Sequence, residues 1–121
     1  SAVFVRGLWI ASDCGELINP DGAANQVEGG AIQACSFALK EAVQFNSEKI
    51  FSDTWDTYPI LRFDGVPNVE TEFIKNQNLP PLGVGECSVG PTVAALANAI
   101  YDALGVRVRD MPFTVENIAK A

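Results

Sequence analysis

Histidine is absent from the 121 residues of this chain. Its absence removes the commonest general base and the commonest metal ligand, and it excludes any histidine-dependent catalytic triad built within the chain. Cysteine is scarce, and Cys14, Cys35 and Cys87 include no C-x-x-C pair. A zinc or iron–sulfur site made by this chain alone is therefore not expected. We expect the three cysteines to be small, mostly buried side chains.

Positive charge is also in short supply. Eight Lys and Arg stand against 15 Asp and Glu, a net charge of −7. Binding to nucleic acid is not expected, because phosphate contacts need clustered basic side chains. No apolar run has the length of a membrane span, and no secretory signal pattern opens the chain. The chain begins with a strand-like run and no initiator Met, so we expect it to be a piece of a longer polypeptide. The lack of a membrane span and of a signal pattern in this piece therefore does not indicate the compartment of the longer polypeptide.

Hydrophobic residues make up 48% of the chain, which is typical of a globular protein. We expect residues 1–121 to form a single domain with a buried core. Periodicity predicts, in order, a strand over residues 2–12, a helix over 23–45, an irregular segment over 46–68, a strand over 69–74, a helix over 91–104, a short strand over 106–111 and a helical turn after Thr114. This order predicts an α+β fold in which two main helices pack on one face of a small, largely antiparallel sheet.

Two local patterns add detail to this scheme. The pair Gly29-Gly30 lies inside the long helix, where each Gly costs about 1 kcal/mol relative to Ala. Such a pair suggests a neighbour that passes very close, either another backbone or a ligand. The irregular segment includes a possible short strand at Ile50-Phe51 and many large side chains from Trp55 to Phe63. We expect these side chains to cover the rest of the domain, because so many exposed aromatic residues would be a liability.

The stretch Gly83-Val84-Gly85-Glu86 has the strongest functional pattern. It joins the Pro-rich loop Leu79-Pro80-Pro81-Leu82 to the second predicted helix, so a carboxylate lies on a Gly-rich loop at a helix start. Glu86 is the best candidate for a catalytic residue, although a Glu at this position also provides favourable helix electrostatics without any catalytic role. Ser88 stands where the dinucleotide-binding fingerprint needs a third glycine, and no Lys follows to make a phosphate-binding P-loop.

Several segments together resemble a known family. They are Asp13-Cys14-Gly15, Ile18-Asn19-Pro20, Asn25-Gln26-Val27-Glu28-Gly29-Gly30, Tyr58-Pro59-Ile60-Leu61-Arg62-Phe63, Gly83-Val84-Gly85-Glu86, Ala97-Asn98-Ala99-Ile100-Tyr101-Asp102-Ala103 and Gly105-Val106-Arg107. In this order and spacing they resemble the C-terminal part of the molybdenum-binding subunit of the xanthine dehydrogenase/aldehyde oxidase family. The resemblance runs over nearly the whole chain.

The resemblance implies a molybdopterin cofactor and the hydroxylation of an aldehyde or N-heteroaromatic carbon with oxygen from water. It implies that Glu86 is the general base, that Gly85 lets the cofactor approach, and that Gln26 contacts the pterin. Gln33 follows seven residues after Gln26 on the same helix face and is a weaker match for a cofactor contact. Ser88 and the N–H groups after Glu86 are further candidates for pterin or oxyanion contacts.

The chain also departs from the family pattern. Many relatives have Pro or Ala after the catalytic Glu, whereas this chain has Cys87. The resemblance implies three partners: the rest of a molybdenum subunit, an iron–sulfur subunit or domain, and a small aldehyde or N-heteroaromatic substrate. Alone, the piece is expected to bind no molybdenum and to be inactive. The alternative is a homologous scaffold or subunit-interface module that binds no molybdenum and has no catalytic role. A third hypothesis, an unrelated small acidic binding protein, would require every segmental match to be due to chance.

Overall fold

A computed structural model describes residues 2–121 of the chain. Its regular elements are strand β1 (Gly7–Ser12), helix α1 (Pro20–Leu39), a 3₁₀ turn (Phe63–Gly65), strand β2 (Asn68–Phe73), helix α2 (Val89–Leu104) and helix α3 (Val115–Ala119). The predicted α+β class is confirmed, and β2 lies within one residue of its predicted range.

The sheet is parallel, so the prediction of a largely antiparallel sheet was wrong. Gly7 of β1 is opposite Asn68 of β2, and the register continues without a break to Ser12 opposite Phe73. Residues 13–67, which include α1, return the chain to the starting end of the sheet, as a parallel pair requires. Leu8 and Ile10 are half-buried on the inner face, whereas Trp9 is exposed on the outer face.

Helix α1 begins three residues earlier and ends six residues earlier than predicted. Asn19 is its N-cap, since the side-chain oxygen accepts a hydrogen bond from Gly22 N–H at 2.9 Å, and Pro20 occupies the first helical position. At the other end, Phe113 N–H donates to Ala38 O at 2.6 Å. This bond from a distant segment satisfies a C-terminal carbonyl, and the chain leaves the helix at Lys40.

The core lies mainly where α1 and α2 meet. Cys35 and Ala38 of α1 contact Leu96 and Ile100 of α2 in one buried cluster, which Val108 and Phe113 complete. Helix α1 packs against β2, α2 packs chiefly against α1, and Leu8 of β1 packs against the cluster that both helices form. Helix α2 begins at Val89, two residues before Pro91, and ends as predicted at Gly105, whose positive φ of 72° forms the C-cap.

Residues outside these elements differ from the sequence predictions in three ways. No strand forms over 106–111, because this segment pairs with neither strand of the sheet that residues 2–121 form. Val108 packs in the core instead. Ile50 makes a single antiparallel bridge with Phe45 and not a strand. Trp55 and Phe63 are exposed (74% and 100%), so the expectation that the large side chains cover the domain is wrong for these two. Thr114 does cap the terminal helix, accepting a hydrogen bond from Asn117 N–H.

Candidate functional site

The loop that carries Glu86 lies on the surface between the Pro-rich segment and helix α2. Glu86 is exposed, as are Gly85 and Cys87 on either side. The Glu86 carbonyl accepts a hydrogen bond from Val89 N–H at 3.2 Å, which turns the chain into the helix. The carboxylate is therefore open to a ligand, while the backbone that carries it is tied to α2.

One anchor holds the loop to the exit of strand β1. Leu82 N–H donates to Cys14 O at 2.8 Å, and Glu16 N–H donates to Leu79 O at 3.0 Å. Gly15, between these two positions, has a φ of +68°, and a Cβ there would collide with Pro80 O. The Pro-rich segment thus lies directly on the Asp13-Cys14-Gly15 turn, and only Gly fits this close approach.

A second anchor holds the loop to helix α1. Ser88 is buried, and its hydroxyl donates to Val27 O at 2.8 Å. A Cβ built on Gly30 would lie 2.6 Å from the same hydroxyl oxygen, whereas Gly29 faces open space. The pair Gly29-Gly30 does indicate a close neighbour, but at Gly30 that neighbour is the Ser88 side chain and not another backbone or a ligand, and Gly29 is not needed for it.

The structure brings together three of the predicted site residues besides Glu86. Gln26 lies on α1, and its Nε2 donates to Gly85 O at 3.5 Å, a long hydrogen bond at an exposed position. Ser88 lies below the loop with its hydroxyl already engaged. Gln33 is exposed on α1, about 10 Å further along the helix axis from Gln26. Within residues 2–121 its side chain forms no hydrogen bond.

Two clefts flank the loop. A smaller one, of about 260 Å³, lies between the loop and the start of α1 and includes Gln26 in its wall. A larger one, of about 550 Å³, lies on the side of β1 and α2 and includes Cys87 and Ser88. Residues 82–84 form part of both walls, so the loop separates the two clefts.

The start of α2 presents a backbone donor at the surface. Ser88 is the N-cap, but its side chain makes no capping bond because it points to α1, and the first turn has no acidic residue. Val89 N–H donates to Glu86 O, Thr92 N–H donates to Ser88 O, and Pro91 has no N–H, so Gly90 N–H is the donor of residues 89–92 that is left for an anion. Gly90 in this turn is exposed, and nothing lies within 4 Å of a Cβ built there. This end of α2 can therefore donate to a negatively charged group.

The cysteines differ in their environment. Cys14 and Cys35 are buried, as predicted, and burial raises the pKa of the Cys35 thiol. Cys87 is exposed, contrary to the general expectation, and its Sγ lies 3.6 Å from Val84 O. Among the described residues, no group of three or more Cys, Asp or Glu side chains is placed to hold a metal ion.

Sequence reasoning missed both anchors. It used Asp13-Cys14-Gly15 only for the family resemblance and did not predict its contact with the Pro-rich loop, and it considered Ser88 only for ligand contact. The sequence signals were present as a Gly after a strand and a Gly pair in a helix. Neither pattern names the partner, which lies about 60 residues away in the chain.

None of the helices formed by residues 2–121 combines the length and the apolar character needed to cross a membrane.

Comparison with known proteins identifies the family. Residues 1–67 match the family model described as a molybdopterin cofactor-binding domain. The chain is 40% identical over 119 residues to one of the subunits of nicotinate dehydrogenase from Pseudomonas putida, covering 98% of this chain and 10% of the relative. It is 35% identical over 110 residues to the membrane-bound aldehyde dehydrogenase [pyrroloquinoline-quinone] of Gluconacetobacter polyoxogenes, covering 91% and 14% of the two chains.

A solved structure shares the fold. Quinoline 2-oxidoreductase from Pseudomonas putida 86 superposes with a TM-score of 0.85 at 26% identity, covering 97% of this chain and 16% of that one. The chain thus spans a tenth to a sixth of the length of these proteins. The match of the family model over more than half of the chain shows the relationship: this chain belongs to the molybdopterin cofactor-binding domain family.

Proposed function

We propose that this chain is the C-terminal piece of a molybdenum-dependent oxidoreductase, and that it supplies the general base Glu86 together with contacts to the pterin. The reaction is the hydroxylation of an aldehyde or N-heteroaromatic carbon with oxygen from water. One observation carries the proposal: in a molybdopterin cofactor-binding domain, an exposed carboxylate lies on a loop anchored on both sides, with the Gln26 amide beside it.

The residues around the loop have the chemistry to hold a pterin. An amide both donates and accepts, which suits the mixed donors and acceptors of a pterin ring, and Gln26 is exposed at the edge of the smaller cleft. Gly85 has no side chain between its backbone and a ligand. The first turn of α2 adds the Gly90 N–H as a donor for an anionic group. When bound, the cofactor supplies a molybdenum centre that exchanges electrons with the substrate.

Glu86 would act on a proton. A carboxylate is a suitable acceptor for the proton of an oxygen nucleophile that attacks the substrate carbon, and general-base assistance contributes about 10²–10⁴-fold to a rate. The two anchors hold the backbone on both sides of Glu86, while its side chain stays accessible. The neighbouring Cys87 would shape the pocket wall where many relatives have Pro or Ala.

The other site residues have different weights in this proposal. Ser88 would contribute its backbone N–H and the placement of the loop, because its hydroxyl already donates to Val27 O. Gln33 is the weakest candidate, since it lies two helical turns from the loop-side amide of Gln26. The remaining cofactor contacts would come from the rest of the molybdenum subunit. Electrons would pass to iron–sulfur clusters on another domain or subunit.

The decisive experiment uses the complete polypeptide, purified with its partners from a host that makes the cofactor. Glu86→Gln should lower turnover of aldehydes or N-heteroaromatic compounds by at least about 10²-fold, with molybdenum and pterin content unchanged. Glu48→Gln is the matched control, because Glu48 is an exposed carboxylate in a polar turn and lines neither of the two clefts beside the loop. Turnover retained by Glu86→Gln would remove Glu86 from the mechanism.

The cofactor content tests the alternative. A folded, complete protein without molybdenum would identify a homologous scaffold or interface module that has the fold but not the chemistry. Because one relative carries pyrroloquinoline quinone in its name, quinone content should be measured on the same samples. Stoichiometric molybdenum and pterin are the expected result.

A further inference from the structure

A long trough runs between strand β1 and helix α2 and ends at the Glu86 loop. It consists of a hollow of about 850 Å³ beside residues 2–9 and the cleft of about 550 Å³ beside residues 8–13. Leu8, Trp9 and Ala95 line both parts, so the two are continuous. Consecutive residues of β1, from both faces of the sheet, form the wall. The trough therefore follows the edge of the strand and not one face.

That edge of β1 has unpaired backbone groups. Asn68 N–H donates to Arg6 O at 3.1 Å, and Ile74 N–H donates to Ser12 O at 2.9 Å. In a parallel ladder with this register, the even-numbered residues of β1 face β2, and the N–H and C=O groups of Gly7, Trp9 and Ala11 face the other way. Within residues 2–121 no third strand pairs with them. The edge is a row of free donors and acceptors.

The walls of the trough are apolar and exposed. Phe4 and Trp9 are 83% and 73% exposed, and Leu104 and Val115 are also exposed. Exposed apolar surface of this extent marks a place where another part of a protein packs. On the side of α2, the wall includes Ala95, Ala99 and Ala103, whose small side chains leave room for a backbone to approach.

The chemistry of the edge selects the kind of occupant. A helix satisfies its own backbone groups and would leave those of Gly7, Trp9 and Ala11 unpaired, whereas an extended segment would pair with them. A two-stranded parallel sheet is also incomplete, because such pairs are marginally stable and parallel sheets are covered by further structure. An added strand would meet both needs.

The length of related proteins indicates the source of that strand. The fold of this chain superposes on quinoline 2-oxidoreductase over 97% of its residues, which make up 16% of that chain. The same fold can therefore lie inside a polypeptide about six times longer, which has further segments to cover the edge.

We propose that the trough takes an extended segment from the remainder of the same longer polypeptide, which pairs with β1 as a third strand. Its backbone bonds to Gly7, Trp9 and Ala11, and its apolar side chains pack on the alanine side of α2. The inference rests on the chain being part of a longer polypeptide, as the proposed function also does, but not on the reaction.

Residue-resolved amide hydrogen exchange on the complete polypeptide tests this inference. Protection at Trp9 and Ala11 should lie within about tenfold of that at Leu8 and Ile10, which face β2. Free exchange at Trp9 and Ala11, with Leu8 and Ile10 protected, would overturn the proposal. Protection that appears only as protein concentration rises would assign the trough to a second copy and would also overturn it. Loss of molybdenum or turnover does not alter this readout, so the two proposals fail separately.

A pair of substitutions locates the occupant on α2. Ala99 and Ala94 are both exposed alanines of α2, but only Ala99 lines the trough. Ala99→Leu should raise the exchange rate of Trp9 and Ala11 at least about tenfold in the complete polypeptide, and Ala94→Leu should leave it unchanged. Equal exchange in both variants would overturn the proposal. If Ala99→Leu does not fold, the unmodified polypeptide and Ala94→Leu still decide the question.

Discussion

The Ser88 hydroxyl occupies the space that a side chain at position 30 would need. Its oxygen lies 2.8 Å from Val27 O, to which it donates, and 2.6 Å from the place of a Cβ on Gly30. Ser88 follows Glu86 by two residues. This contact between α1 and the start of α2 therefore determines where the loop that carries Glu86 joins α2. A glycine on one helix thus positions a carboxylate on a loop about 60 residues later.

We expect Gly30→Ala to destabilise the protein by about 1–3 kcal/mol, because the added methyl group displaces a buried hydroxyl from its acceptor. Gly29→Ala is the matched control, since its Cβ meets open space and Ala is the better helix former by about 1 kcal/mol. The measurement is denaturant unfolding of each variant. In a Ser88→Ala background the cost of Gly30→Ala should fall by about 1 kcal/mol or more. Additive effects would show that the two residues are not coupled.

Gly15→Ala tests the other anchor. The change forces a non-Gly residue to a φ of +68° and places its Cβ against Pro80 O, so we expect a loss of more than about 2 kcal/mol. Gly83→Ala, in the same loop system but with nothing within 4 Å of its Cβ, should cost less than about 1 kcal/mol. Thermal unfolding of the two variants provides the comparison, and equal losses would contradict the role given to the Gly15–Pro80 contact.

Gln26 and Gln33 allow a comparison on one helix face. We expect Gln26→Ala in the complete polypeptide to lower pterin retention during purification several-fold, because the amide lies beside Gly85. Gln33→Ala should have a smaller effect, since that side chain lies two turns away. Pterin and molybdenum content per protein is the measurement. A larger loss with Gln33→Ala would move the cofactor contact along α1 and away from the loop.

Tyr58 links the irregular segment to Glu41, just after the end of α1, and its pKa is raised. Its hydroxyl donates to Glu41 Oε2 at 2.9 Å, and this bond, with some desolvation and the charge of Glu41, raises the pKa of Tyr58 above its ordinary value of 10.0. The folded state holds the proton more tightly than the unfolded state. The resulting stabilisation is therefore complete below the ordinary pKa and is lost as pH rises through the folded pKa.

Phenolate absorbance measures this pKa directly. The chain has two tyrosines, so Tyr101→Phe leaves Tyr58 as the sole phenol. Its pKa should lie above 10.0 in that variant and should fall when Glu41→Gln is added. A pKa unaffected by Glu41→Gln would show that the hydrogen bond is not its cause.

Local sequence signals predicted much of this protein. The alternation of residues 69–74 indicated β2, Gly105 indicated the end of α2, and the Gly-rich stretch before α2 indicated the surface loop with Glu86. These features depend on the periodicity of one element or on the dihedral preferences of one residue, both of which are encoded within a few positions. The segmental resemblance added the family, which the comparison with the family model confirmed.

Only the tertiary structure decided the direction of the strands, the end of α1 and the partners of the loop. Strand direction depends on where residues 13–67 return the chain, which no pattern within a strand reports. The end of α1 depends on a bond from Phe113 to Ala38, and the site depends on Gly15 meeting Pro80 and Gly30 meeting Ser88. Each of these contacts joins residues far apart in the chain. A single sequence specifies the shape of each partner, but which two surfaces meet is determined by the packing of the whole core.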